Sequence, residues 1–96
     1  MNAPTKIVKG VTIVMPIITL GGTSAQDLLY QRQNAAQGVR DAIGHLNEAC
    51  PHMRDYQIDP AAYDLAIHQH EARLRKLESV LDEIEAEMEH IAPFVK

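Results

Sequence analysis

Six residues in this sequence have the types and spacing to hold an anion: Gly22, Thr23 and Ser24 in one cluster, Arg32 further along, and Arg54 with Tyr56 in a separate stretch. Gly21-Gly22 runs directly into Thr23-Ser24-Ala25-Gln26-Asp27. Glycines open backbone conformations closed to other residues, and their N–H groups, with the unpaired first-turn N–H groups of a helix, can converge on a phosphate or carboxylate. The simpler reading is a helix cap. Thr23 is followed three residues later by Gln26, and Ser24 by Asp27, so either register completes a capping box. Asp27 would repel an anion in that first turn, and the full phosphate-loop motif is missing. Arg32 stands at a helical position where a leucine is expected. Its head either reaches out to water or lies in a pocket between subunits, where a guanidinium can take a carboxylate or phosphate bidentately. Arg54 offers a cation for a phosphate and Tyr56 a ring for a base to stack on, unless the loop closes on itself through Arg54 and Asp55.

Other chemistry finds less support. His68 and His70 are two apart and point to different helix faces, while His45, His52 and His90 lack the i, i+3 or i+4 partners of a helical metal site. No metal site or cofactor is expected. Thr23, Ser24 and Ser79 are the hydroxyl candidates, and none lies in a nucleophile-turn motif. Cys50, beside Pro51 and His52, reads as a structural thiol at a helix end. No catalytic residue is assigned, and the expectation is a protein that is not an enzyme. His70 falls on an apolar seam, where a polar residue hydrogen-bonded across an interface would set register.

The elements that position these residues follow from periodicity. Residues 7 to 20 are rich in Val, Ile and Thr, and Lys6 to Val14 can fold as two short strands around Lys9-Gly10, with Pro16 ending the second and Ile17 to Leu20 extended. Met1 to Thr5 is expected to be a mobile end. A two-stranded ribbon is marginal on its own, so this arm needs the helices or another subunit's arm to lie on. From Ser24 to about Cys50, Leu28, Arg32, Ala35, Val39, Ala42, Leu46 and Ala49 recur in alternating steps of four and three, a heptad seam. Leu29, Ala36, Ile43 and Cys50 make a second line beside it, and Gly38 and Gly44 suggest close packing. Pro51 stops this helix, residues 51–59 connect, and Asp59-Pro60 caps a second helix. Along it Tyr63, Ile67, His70, Leu74, Leu77, Leu81, Ile84, Met88 and Ile91 keep the heptad until Pro93. The expectation is a mainly α chain forming one domain: β arm 1–22, helix 23–50, loop 51–59, helix 60–92, tail 93–96. The helices form an antiparallel, coiled-coil-like hairpin. At about 1.5 Å per residue they measure roughly 40 and 48 Å. The second is then expected to overshoot the first by about two turns at its C-terminal end, leaving Ile84, Met88 and Ile91 to be covered by the arm of the same or a neighbouring chain. Because two helices cannot bury both lines of the first, hairpins are expected to assemble as a homo-oligomeric bundle.

Composition sets outer limits. The 96 residues include one Phe, three Tyr and no Trp, so the 46% apolar fraction is mostly aliphatic and suits helix packing. A formal charge of −4 argues against a nucleic-acid coat role, which needs a basic face. A single cysteine excludes an intrachain disulfide and fits a reducing, cytoplasmic setting. Lys6, Lys9 and the run Val11 to Leu20 imitate a secretory signal, but Pro16 and the β-branched content fit one poorly. The run is also too short to span a bilayer, which takes roughly 20 apolar residues. Arg73, Arg75 and Lys76 sit mid-helix, and Asp82, Glu83, Glu85, Glu87 and Glu89 follow toward the C-terminus. Acids there oppose the helix dipole, which suggests a partner for them.

The β arm, the Gly-Thr-Ser helix start, the loop Pro51-His52-Met53-Arg54-Asp55-Tyr56 and a second heptad helix with His70-Glu71 and Arg73-Leu74 together resemble a group of small proteins encoded by phages and prophages of proteobacteria. In broad design the chain is also similar to phage sponge proteins that counter the CBASS and Thoeris defences, small homo-oligomers that sequester cyclic or ADP-ribose-derived nucleotide signals. That likeness is one of architecture, and no binding residue is carried over from it. It implies a phage accessory, anti-defence protein in the cytoplasm of an infected bacterium, binding a small anionic nucleotide-type signal as a homo-oligomer. The alternative is an interaction module that blocks a host defence protein through its hairpin.

Overall fold

Lys9 and Gly10 both adopt positive φ, 49° and 82°, the pairing that a two-residue hairpin turn requires. They join β1 (Thr5–Val8) to β2 (Val11–Val14), antiparallel, with Thr5 opposite Val14 and Val8 opposite Val11. This computed structural model describes residues 3–96. The expected mobile end lies outside the described residues at Met1 and Asn2. Beyond them it is corrected, because the Pro4 carbonyl accepts a hydrogen bond from the Met15 amide at 2.8 Å and Thr5 already belongs to β1.

Two long helices follow, α1 (Ala25–Glu48) and α2 (Pro60–Ile91), packed against each other as a hairpin. Ser24, not Thr23, caps α1, its Oγ accepting from the Asp27 amide at 3.1 Å. The Asp59 carboxylate caps α2 through the Ala62 amide, with Pro60 leading the helix. Pro93 converts the end of α2 into a 3₁₀ turn, Ala92–Phe94.

The register of the hairpin differs from the expectation. Arg32 meets Glu87, Ala35 and Ile84 flank one groove, and Leu46 and Ala49 face His70 and Arg73. The first turn of α1 is therefore level with the end of α2, where α1 touches Ala92–Phe94. The surplus of α2 lies at the other end, over roughly its first ten residues, about 15 Å. The reason is the connection. After Pro51 the chain makes a 3₁₀ turn, Met53–Tyr56, and packs along the first turns of α2 instead of reversing at once. Ile84 and Met88 are consequently half-buried in their own chain and Ile91 is fully buried.

Which line of α1 faces inward also differs. Ala36 is wholly buried and Ile43 half-buried, while Ala35, Ala42 and Ala49 are exposed. The seam runs Arg32, Ala36, Val39, Ile43, Leu46, taking members of both lines. This frame is also a heptad, and it buries an isoleucine where the expected one would bury an alanine, which removes more apolar area from water. Gly38 and Gly44 are exposed, and a Cβ at either would meet nothing within 4 Å, so no packing within the chain explains them.

The arm lies on the C-terminal half of α2 in its own chain. Lys6 pairs with Glu89 at 3.1 Å and Lys9 with Asp82, Met15 is buried, and the Pro16 carbonyl is hydrogen-bonded by His90 Nε2 at 3.0 Å. With α1 on one side and the arm on the other, residues 81 to 88 are all at least half-buried. Besides Asp82 and Glu89, two more acids of this segment find cations within the chain: Arg40 meets Glu85 at 3.4 Å and Arg32 meets Glu87 at 3.7 Å, while Glu83 has none among the described residues.

Candidate functional site

The six anion-binding candidates do not form one site within a chain. Gly22, Thr23 and Ser24 lie at the start of α1, while Arg54 and Tyr56 lie past its end, a helix length of about 36 Å away. Neither Gly21 nor Gly22 has a positive φ. The expected special backbone is absent there, because Gly22 simply closes a turn in which its amide donates to the Thr19 carbonyl at 3.3 Å. A Cβ on Gly22 would come within 3.1 Å of Thr19 Oγ1, so the residue is small for a local reason. Ser24 satisfies the Asp27 amide, and Thr23 is exposed. Arg32, half-buried, faces Glu87 and also reaches Gln31 Oε1 at 3.3 Å, so its charge is met inside the hairpin.

The loop residues are better placed. His52 Nδ1 accepts from the Arg54 amide at 3.1 Å and the His52 carbonyl from the Asp55 amide at 3.0 Å. The loop does close on itself, but through His52 rather than through an Arg54–Asp55 ion pair. Tyr56 is half-buried, its ring 5.9 Å from that of Tyr63 and tilted by 52°.

Where the connection, the last turn of α1 and the first half of α2 meet, they enclose a cleft of about 380 Å³. Leu46, Ala49 and Ala66 supply its apolar wall; Asp55, Tyr56, Gln69, His70 and Arg73 supply polar groups. His70 is only 5% exposed and makes no hydrogen bond with any described residue of its own chain. Arg73, one turn on, stands on the same helix face and forms no ion pair among the described residues. Arg54 lines a separate groove formed by residues 54 to 59.

Of the six candidates Tyr56 alone lines this cleft, while Arg54 lines the groove of residues 54 to 59 and Arg32 the groove beside Ala35 and Ile84. The sequence places His70 on the seam and Arg73 among the mid-helix cations, and gives Gln69 no role. Their signal was the polar face made by 69, 70 and 73, about two and a half to three and a half turns into the helix that follows a connection carrying an aromatic residue. Among the described residues no three His, Cys, Asp or Glu side chains come close enough to hold a metal ion. No helix among the described residues is long and apolar enough to cross a membrane. No family model matches the chain, and no curated protein or solved structure matches it.

Proposed function

We propose that the protein is a non-enzymatic binding protein that works as a homo-oligomer and takes up a small anionic, nucleotide-type ligand. The observation that supports this reading most is surface. The chain exposes 6947 Å², against about 5,500 Å² for a compact monomer of its size. Its radius of gyration is 18.5 Å, where a compact chain of this length would have about 12.5 Å. The excess area, about 1,400 Å², exceeds the roughly 800 Å² that each partner contributes to a standard interface. Large apolar side chains account for part of it: Ile7, Val14, Ile17 and Leu20 on the arm, Tyr30 on α1, Leu65 and Val80 on α2. A second copy of the chain is the occupant we assign to this surface. Four of the thirteen acids, Asp82, Glu85, Glu87 and Glu89, are paired with Lys9, Arg40, Arg32 and Lys6, which lowers the repulsion between like-charged copies at that end of the hairpin.

Arg54 and Arg73, which pair with no described acid, support the anionic ligand. If the chain acts in phage infection, as its resemblance implies, holding such a ligand would withdraw a nucleotide signal from the host's defence. A rise in melting temperature with nucleotides, in a sample whose mass is a multiple of the monomer, tests this, since ligands that bind only the folded state stabilise it. A second reading, a module that blocks a host protein, is favoured by Met53 and Ile58, both exposed at the bend. Co-purification of a host protein without any nucleotide response would favour that reading.

A further inference from the structure

We infer that the cleft at the bend is a site for a nucleoside monophosphate, with the base against Tyr56 and the phosphate on Arg73 and His70. This deepens the binding reading above and does not depend on how many copies assemble.

Size comes first. A cleft of about 380 Å³ is at the small end of the range for small-molecule sites, about 300 to 1,000 Å³. It suits one nucleotide better than two. His70 is the second observation. A side chain that is 95% covered usually has a hydrogen-bond partner, yet the His70 ring has none among the described residues, and it lines the cleft. Its nitrogens are not sealed, since Asp82 Oδ2 is the only buried side-chain polar atom without a hydrogen bond among the described residues, and a phosphate oxygen in the cleft would accept from one of them.

Charge and shape specify the rest. Arg73 lies one turn from His70 on the same face, so both can reach one phosphate, and its guanidinium fork matches the spacing of two phosphate oxygens. Tyr56 lines the cleft while Tyr63, which does not line it, braces the ring from elsewhere. A braced ring is a stacking platform that loses little freedom on binding. Asp55, beside Tyr56, adds a carboxylate that accepts from an exocyclic amine of a base and repels a phosphate from that end. The ligand is thereby oriented, base toward the loop and phosphate toward α2. The bonds from the Arg54 and Asp55 amides to His52 hold the loop in this form before anything binds.

Isothermal titration calorimetry of the full chain with AMP, GMP, CMP and UMP tests the site, with adenosine and inorganic phosphate as part-ligands. At least one monophosphate should bind, and each part-ligand should bind at least ten times more weakly. Arg73→Ala should weaken the monophosphate ten- to a hundred-fold by removing a charge-assisted contact, and leave adenosine unchanged. Tyr56→Ala should weaken both, Tyr56→Phe neither. His70→Gln should weaken the monophosphate alone. Arg73 is exposed, so its variant keeps the fold and decides the matter even if a variant at Tyr56 or His70 does not fold. Absence of heat with all four monophosphates overturns the inference, and so does parent-like binding by Arg73→Ala. Light scattering on the same samples separates the two ideas. An oligomer that binds no nucleotide sinks this site and leaves the assembly; a monomer that binds one does the reverse.

Discussion

Lys9, in the left-handed turn of the arm, is paired with Asp82 of α2, and the Oδ2 atom of Asp82 is sealed from solvent. The hydrogen bond to Asp82 and then its charge hold the Lys9 ammonium above the usual lysine range. A pKa raised by folding favours the folded state at every pH where lysine is charged in the unfolded chain. That contribution fades only as pH climbs through the higher, folded value. The docked arm should therefore be insensitive to Lys9 from neutral pH to about pH 10.5. Carbon-13 NMR of the Lys9 Cε should show it titrating later than an unfolded lysine, and Asp82→Asn should abolish the delay.

Ala36 is wholly buried, whereas its neighbour Ala35 is exposed. Ala36→Leu should lower stability by about 1 to 3 kcal/mol through overpacking, while Ala35→Leu should leave the hairpin itself intact. Thermal unfolding of the two variants, followed by circular dichroism, would expose a wrong inward line if they ranked the other way.

At the start of α1, only Ser24 accepts a helix amide. Ser24→Ala should cost about 0.5 to 2 kcal/mol, and Thr23→Ala close to nothing. Urea midpoints read the difference, and equal losses would contradict the cap assignment.

Met15 anchors the arm at 2% exposure, beside the ion pairs of Lys6 and Lys9. Met15→Ala removes buried volume worth about 2 to 5 kcal/mol, more than the ion pairs of the flexible Lys6 and Lys9 side chains offset. Amide hydrogen exchange in β1 and β2 should accelerate while the middle of α2 stays protected. Unchanged exchange in the strands would show that the charges, not Met15, hold the arm.

The hairpin was legible because its signals are local. Asp59-Pro60, Pro51, Pro93 and the unbroken heptad from Tyr63 to Ile91 each act within a turn or two, and the helices begin and end within a residue or two of where these residues place them. Register was not legible, because it depends on the path of the connection. The 3₁₀ turn at Met53–Tyr56 moves the surplus of α2 to the bend and takes Ile84 and Met88 out of the list of residues awaiting cover. An Asp at either position would now disrupt the hairpin itself and not only an assembly. The anion site suffered the same way. Arg32 looked available because its partner Glu87 is fifty-five positions away in sequence, and Arg73 looked like solvated surface because the cleft beside it exists only once the loop has folded.

Assembly carries the account as a whole, and its most direct measurement is the mass of the full chain in solution by multi-angle light scattering at micromolar concentration. The expected result is an integer multiple of the monomer mass, reduced toward the monomer by Leu65→Asp together with Val80→Asp, since both side chains are exposed in the chain and an unpaired charge in an apolar interface costs several kcal/mol. The monomer mass for the parent chain, with the helical content of the hairpin intact, would contradict it.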